Sequence, residues 1–437
     1  MNYQQTIEYL FSKLPMFSRI GAAAYKKDLS NTIALCEALG NPHRKIRTIH
    51  IAGTNGKGSV SHMLAAILQS AGYKTGLYTS PHFYDFRERI KINGAMISKQ
   101  FVVDFTQRLL PYFEKVEPSF FEVTVAMAFE YFAQQNIDVA IIETGMGGRL
   151  DSTNVITPEL SVITNIDWDH MQLLGDSLEK IAFEKAGIIK SGVPVVIGES
   201  ATATLPVFVQ QARHMRAALS VASEKRQVQH YEWKDETLLV QVAQAARPAT
   251  TYTLDLPGIY QIKNVLTVLE AIEQLQQQGW SISEEAIARG LSAARQLTGL
   301  FGRWQKISQH PTVVIDVAHN EAGIRQLLQQ LTRTPYQKLH IIIGVVKDKS
   351  VAPMLSLLPK EAAYYFTKAQ LPRALAENEL QERGIAAGLR GTAYSHASEA
   401  LTAAKARATA DDLIVICGSI FLAAEINPLA TNDLSDE

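Results

Sequence analysis

Residues 49–64 read IHIAGTNGKGSVSHML. An apolar run leads into three glycines around a lysine, and an amphipathic run follows. That is the order of a strand, a phosphate-binding turn and a helix. The spacing departs from the usual Gly-x-x-x-x-Gly-Lys-Ser/Thr: Ile51 stands five places before Gly56, and Gly58 separates Lys57 from Ser59. We read the strand as ending at Ile51 or Ala52, the loop as Gly53–Ser59 and the helix as starting near Ser59. Glycines let backbone N–H groups turn toward an anion, and a helix N-terminus adds partial positive charge. Lys57 then reaches the outer phosphates, and Ser59 donates to a phosphate or sits near magnesium. A plain glycine-rich turn is the competing reading; three glycines with a lysine and a serine at such a junction weigh against it. The dinucleotide fingerprint fits poorly, since the pattern is Gly-x-x-Gly-x-Gly.

Outward from this stretch, strand-like apolar runs alternate with helical patterns at 46–53, 75–80, 138–145, 160–167 and 193–199. Continuous apolar strands between helices predict a mostly parallel sheet covered on both faces. From about 225 to 257 polar and apolar residues alternate instead, as in half-exposed antiparallel strands. The run NVLTVLEAIEQLQQQG predicts a helix ending at Gly279. Past TGLFGRW the αβ rhythm restarts, with strands in 312–320, 339–346, 362–368 and 411–419. The expected fold is α/β: a phosphate-loop N-terminal domain with a small antiparallel sheet, then a smaller Rossmann-like C-terminal domain. The expected bounds are 1–295, a linker at 296–302 and 303–437.

Bulk properties narrow the function classes. The 437 residues exceed one ordinary core. A net charge of -1, with 47% hydrophobic and 19% charged residues, offers no global pull toward nucleic acid. Two cysteines, Cys36 and Cys417, suit a reduced cytoplasmic setting. The start MNYQQTIEYLFSKLPMF is too polar for a secretory signal, and no apolar run is long enough for a membrane span. The tail ATNDLSDE reads as a solvated end. Low net charge and the absence of a coiled-coil pattern permit a monomer.

Three more strand ends carry polar groups: Ser80 in YTSPH, Glu143 in IIETGMGGRLDSTN, and Asp167, Asp169 and His170 in NIDWDH. In a parallel sheet such ends line the crevice that holds the phosphate loop. A hydroxyl, a carboxylate and an imidazole there can complete a magnesium shell, although each residue can equally cap its own turn. In SLEKIAFEKAGIIKSG, Leu178, Ile181, Ala182, Lys185, Ile188 and Ile189 share one helical face. Lys185 therefore sits in an apolar stripe. It can pair with Glu184 or Glu143, react as a neutral amine with carbon dioxide to give a carbamate, or snorkel to water.

Taken together, GTNGKGS, TSPH, FFEVTVAMAF, ETGMGGRLDSTN, DH at 169–170, EKAGIIK, GR at 302–303, DVAHN and CGSIFLAAE resemble, over nearly the whole chain, the Mur ligase superfamily and its folate branch. The resemblance implies roles. Gly53, Thr54, Asn55, Gly56, Lys57, Gly58 and Ser59 would hold the phosphates of ATP. Ser80, Glu143 and His170 would hold two magnesium ions, and Lys185 would carry a carbamate supporting the second. Asn264, Arg303 and Asp316 would touch the nucleotide. His319 and Ser419 would lie near the incoming L-glutamate. The loop Gly21–Asp28, with Phe121, Glu122, Val123, Leu150 and Asp151, would border the pterin-bearing substrate. The chain departs from the family pattern in SRIGAAAYKKD, in Trp168 beside His170, and in YQIKN.

The implied reaction uses ATP to turn a folate carboxylate into an acyl phosphate, which the amine of L-glutamate then attacks. His319 would orient that amine or help remove its proton; capping the following helix is its alternative. The acceptor is a reduced folate or dihydropteroate, and GGRLDSTN resembles the bifunctional members. A cell-wall precursor ligase is disfavoured by FFEVTVAMAF and by the lack of a nucleotide-sugar domain before the loop. DVAHN and CGSIFLAAE disfavour a non-ligating ATP switch.

Overall fold

The computed structural model of the chain describes residues 1–21, 26, 28–245, 247–347 and 351–426. Most of the Gly21–Asp28 loop and the C-terminal tail lie outside the described residues. Two compact units form. One comprises Met1–Asp167, Met171–Asp255 and Tyr260–Leu300; the other comprises Trp168–His170, Leu256–Ile259 and the described part of Phe301–Glu437.

The first unit holds strands β1 (Thr48–Ala52), β2 (Thr75–Tyr78), β3 (Ile90–Ile92), β4 (Ala95–Met96), β5 (Val139–Glu143), β6 (Leu160–Ile163), β7 (Val195–Ile197) and β8 (Leu219–Val221). They form one sheet in the order β4-β3-β2-β5-β1-β6-β7-β8. From β2 to β8 every pairing is parallel, and the β3–β4 hairpin is added antiparallel. Every residue of β1, β5 and β6 is buried, which is why their sequences run apolar without alternation. One cluster gathers Tyr78, Phe105, Phe120, Phe129 and Phe132; another packs Ala52, Ile163, Ala182, Ile188 and Phe208. Strands β9 (Arg226–Lys234), β10 (Thr237–Gln244) and β11 (Arg247–Leu254) make a separate antiparallel sheet. In β10 buried and half-buried residues alternate.

The second unit holds β12 (Gln305–Gln309), β13 (Thr312–Ile315), β14 (Leu339–Ile343), β15 (Ala363–Phe366), β16 (Arg390–Ala393) and β17 (Leu413–Cys417), in the order β12-β13-β17-β14-β15-β16. Only the β12–β13 pairing is antiparallel among these described strands. The chain leaves β13, skips one place to β14, and returns into the gap with β17. That reversal makes a switch point at the carboxyl ends of β13 and β17. Ile324, Leu327, Met354, Leu355 and Leu380 build the core of one face.

Strands β8, β12 and β16 and the β3–β4 hairpin were not apparent in the sequence. All lie at sheet edges, where fewer neighbours demand fewer apolar residues, as in QKISQ and RGTA. Among the described residues no helix is long and apolar enough to cross a membrane.

Candidate active site

The phosphate loop leaves the carboxyl end of β1, where Ile51 lies beside Glu143 of β5 and Ala52 beside Ile163 of β6. Gly53 (φ 151°) and Gly56 (φ 84°) take backbone conformations that favour glycine. Each also faces a wall: a Cβ would lie 1.8 Å from Thr164 Oγ1 at Gly53 and 2.4 Å from Asn264 Oδ1 at Gly56. The segment after β6 clamps the loop. Thr54 N donates to Asn165 O (3.0 Å), Asn55 N to Asn165 Oδ1 (2.8 Å), and Thr164 Oγ1 to Asn55 O (2.6 Å). Thr54 Oγ1 accepts from Asp167 N at 3.0 Å.

The following helix runs Lys57–Ser70, so it begins two residues before the expected start. Its N-cap is Gly56, and no side chain caps it. Leading N–H groups without a side-chain cap are the feature from which helix-terminal anion sites are built. Gly58 and Ser59 are buried in its first turn. Ser59 Oγ accepts from Gln261 Nε2 (3.0 Å), and Gln261 Oε1 accepts from Asn264 Nδ2 (2.8 Å). Gln261, Thr164 and Asn165 are site residues that sequence reasoning passed over. Gln261 could have been found, since it stands one helical turn before Asn264.

Two lysines converge on the Gly53 carbonyl oxygen. Lys57 Nζ donates to it at 3.0 Å, and to Thr54 O at 3.2 Å. Lys185 Nζ donates to it at 2.7 Å. Lys185 is only 4% exposed, so its head does not snorkel. Glu184 instead pairs with Arg149 across 2.8 Å. The helix bearing Lys185 spans Leu178–Ala186 and stops before Ile188 and Ile189. At Gly187 a Cβ would meet Arg149 Cα at 2.4 Å, a close approach that needs glycine.

Glu143 is buried at the end of β5, and Ser80, half-buried, follows β2; Tyr78 pairs with Ile142, so both ends reach one edge. The turn after Glu143 wraps around Asp151. Asp151 Oδ2 accepts from Met146 N (2.8 Å), and Oδ1 accepts from Thr153 N (3.0 Å) and from Thr153 Oγ1. Burial raises the Asp151 carboxyl above its ordinary range, and these donors oppose the shift. Leu150 is half-buried beside it. The half-buried Phe121 fills the space over Gly145, where a Cβ would lie 2.5 Å from its ring. Glu122 closes a capping box with Ser119, and Val123 is wholly buried in the core.

In the second unit, Asp316 follows β13. Its Oδ2 accepts from Trp304 N (3.0 Å) and its Oδ1 from Ala318 N (2.9 Å). That fixes the turn bearing Arg303, whose Nη1 lies 3.4 Å from Phe301 O. His319 Nδ1 donates to Val317 O (2.9 Å), which leaves Nε2 facing Asp169 Oδ2 at 3.5 Å. Asp169 Oδ1 accepts from His170 N (2.8 Å) and lies 3.8 Å from His170 Nε2; Asn320 Nδ2 reaches Asp169 Oδ2 at 3.5 Å. Asn320, not His319, caps the helix Glu321–Leu331. Ser419 caps the short helix Ile420–Ala424, accepting from Phe421 N.

Residues 51–272 match the Mur ligase middle domain, and residues 302–420 match the Mur ligase glutamate ligase domain. The chain belongs to the Mur ligase family. It falls in the folate branch. The folylpolyglutamate synthase of Lacticaseibacillus casei is 33% identical over 98% of both chains. The dihydrofolate synthase/folylpolyglutamate synthase of Bacillus subtilis is 31% identical over 97% of this chain and 98% of its own. The solved structure of E. coli FolC with DHPP and ADP superposes with a TM-score of 0.83 at 28% identity, covering 100% and 99% of the two chains.

For a Mur ligase of this branch the implied magnesium must suit the donors present. Glu143 and Ser80 offer a carboxylate and a hydroxyl at the phosphate-loop edge, hard oxygen donors of the kind magnesium takes beside phosphate and water. His170 belongs to the other unit, and the described residues contain no group of three or more His, Cys, Asp or Glu that could hold a metal. The oxygen donors fit the ion; the imidazole is the weaker member. A carbamate on Lys185 also fits, because its nitrogen retains one N–H with which to donate to Gly53 O.

Proposed function

We propose that the chain is an ATP-dependent, ADP-forming ligase that adds L-glutamate to the carboxylate of a reduced folate, and of dihydropteroate. The observation that carries this reading is the meeting of Lys57 and Lys185 on the Gly53 carbonyl, at the mouth of a side-chain-uncapped helix. Both activities appear in the name of the Bacillus subtilis relative, which spans nearly the whole chain.

In this reading Gly53–Ser59 cradle the phosphates of ATP, with Asn264, Arg303 and Asp316 at the nucleotide. The substrate carboxylate, bordered by Phe121, Glu122, Val123, Leu150 and Asp151, attacks the terminal phosphorus. Its P–O bond to ADP breaks, and an acyl phosphate forms. Lys57 and Arg303 neutralise charge on the moving phosphoryl group. Ser80, Glu143 and His170 would hold two magnesium ions, and these would supply further charge neutralisation. His319 and Ser419 orient L-glutamate, whose amine attacks the acyl carbon. The bond to phosphate breaks and the amine loses a proton, for which His319 Nε2 is the candidate acceptor. Exclusion of water protects the acyl phosphate.

Lys185 as a carbamate is part of the proposal. Two ammonium groups on one carbonyl repel each other. Reaction of the neutral Lys185 amine with carbon dioxide, releasing a proton, replaces one cation by an anion. The buried free thiols Cys36 and Cys417 support a reducing, cytoplasmic setting, and we take the working form to be a monomer.

ADP release from ATP is measured with L-glutamate and either tetrahydrofolate or dihydropteroate. Glutamate-dependent product with both acceptors is expected. No glutamate-dependent product with either would sink the ligase reading, and product with tetrahydrofolate alone would remove the second activity. Mass spectrometry under bicarbonate should find the carbamate on Lys185; an unmodified lysine there refutes it.

A further inference from the structure

His50 lies in the middle of β1, between Ile142 of β5 and Ser161 of β6, and is 0% exposed. A histidine is unusual beside Ile49, Ile51 and Ala52 in a wholly buried central strand. Its Nε2 lies 2.8 Å from Thr153 Oγ1. The single hydroxyl proton of Thr153 is given to Asp151 Oδ1. Thr153 Oγ1 can then only accept from His50, so Nε2 carries the proton. His50 Nδ1 has no hydrogen-bond partner among the described residues. Burial holds the imidazole neutral, with its pKa lowered to about 3 and the positive charge of Lys190 adding to the shift.

The result is a directed chain, His50 Nε2–H to Thr153 Oγ1–H to Asp151 Oδ1. Its outer end is the carboxylate around which residues 145–153 fold. The next residue is tied in as well: Asn154 Nδ2 donates to Arg149 O (3.0 Å) and to Gly187 O (3.1 Å), and Lys190 Nζ donates to Asn154 O (2.9 Å). Packing alone does not require a histidine here. Leucine would fill a wholly buried strand position without leaving one ring nitrogen unsatisfied.

We propose that His50 and Thr153 are positioning residues for the pterin-bearing substrate, setting through Asp151 the loop that borders it. The inference rests on the reading of Leu150 and Asp151 as substrate-side residues. The strand that ends in the phosphate loop thereby also aligns the substrate loop, so one element serves both halves of the site. The polar chain orders donors in advance, which is what a fixed recognition geometry needs.

The test uses the full chain and steady-state ADP release, with tetrahydrofolate or ATP varied in turn. Thr153→Val removes the donor to Asp151 and nearly keeps the volume. It should raise the KM for tetrahydrofolate about tenfold or more while the KM for ATP stays within about twofold. Thr153→Ser should restore the wild-type KM. His50→Gln, which can still donate, should outperform His50→Leu on the same readout. Equal changes in both KM values, or failure of serine to rescue, would show a merely structural role and overturn the proposal. Asp151→Asn separates the two levels. If it leaves the tetrahydrofolate KM unchanged, the substrate reading itself fails. If it raises that KM and Thr153→Val does not, only the positioning chain fails. Thr153→Val decides the matter even if His50→Leu does not fold.

Discussion

The Lys185 ammonium donates to the Gly53 carbonyl oxygen across 2.7 Å, although the two residues are 132 positions apart. A buried lysine in an apolar helix face is thereby joined to the first glycine of the phosphate loop. If Lys185 acts as a carbamate, Lys185→Ala should lose nearly all ligation, and a short-chain carboxylate added to the assay should return part of it. Lys185→Arg should stay inactive, because it keeps the cation that carbamylation removes. Measured turnover of Lys185→Arg near that of the native chain would exclude a carbamate.

Lys57→Ala should abolish ligation and leave the fold intact. Loss of one preorganised charge at a reacting phosphate costs about a hundredfold or more. Turnover and thermal unfolding of the variant, compared side by side, check both halves. Retained turnover refutes the assignment.

At Gly56 an added methyl meets Asn264 Oδ1 at 2.4 Å, and φ is 84°. Gly56→Ala should therefore weaken ATP binding by about 1–3 kcal/mol through strain and displacement of Asn264. Calorimetric titration of ATP measures it. An unchanged Kd would show that the loop tolerates the shift.

Asp169 divides its carboxylate between His170 on one oxygen and His319 with Asn320 on the other. Asp169→Ala should raise the KM for L-glutamate more than the KM for ATP, because His319 loses its partner. A uniform change in both would place Asp169 outside glutamate binding.

Stability should fall with acid through His50. The folded pKa is lowered to about 3 from the ordinary value of 6.5, so the unfolded chain binds a proton that the folded chain refuses. The stabilisation is complete above about pH 6.5 and is lost progressively as pH falls toward 3, at about 1.4 kcal/mol per pH unit for one proton. Urea midpoints at pH 7, 5.5 and 4.5 give the slope. His50→Gln, which does not titrate, should flatten it by one proton.

Much of this architecture is legible in the sequence alone. The buried central strands, the loop at Gly53 and the helix after it follow from apolar continuity and glycine spacing, which are local properties. Lys185 stood out because a charge interrupts an apolar stripe. Other features are written in no local pattern. Thr164 and Asn165 clamp the phosphate loop from a strand 109 or more residues away, and nothing in TNID signals that. Asp151 and Glu122 are acidic groups near the expected substrate, yet their oxygens are engaged by backbone N–H groups, a fact of tertiary geometry. The edge strands were missed because solvent on one side relaxes the pattern that betrays a strand.

The pairing of Ile51 with Glu143 turns the sheet into a ruler for the site. Side chains alternate between the two buried faces of the sheet, so only a slip by an even number of residues keeps each set of side chains on the face it packs against. The smallest such slip would carry Glu143 about 7 Å along the strand, beyond the reach of any ligand bond to a group seated in the loop. Competence is therefore quantised: the sheet zips in the one register that aligns carboxylate and loop, or the chain folds into something that binds nothing.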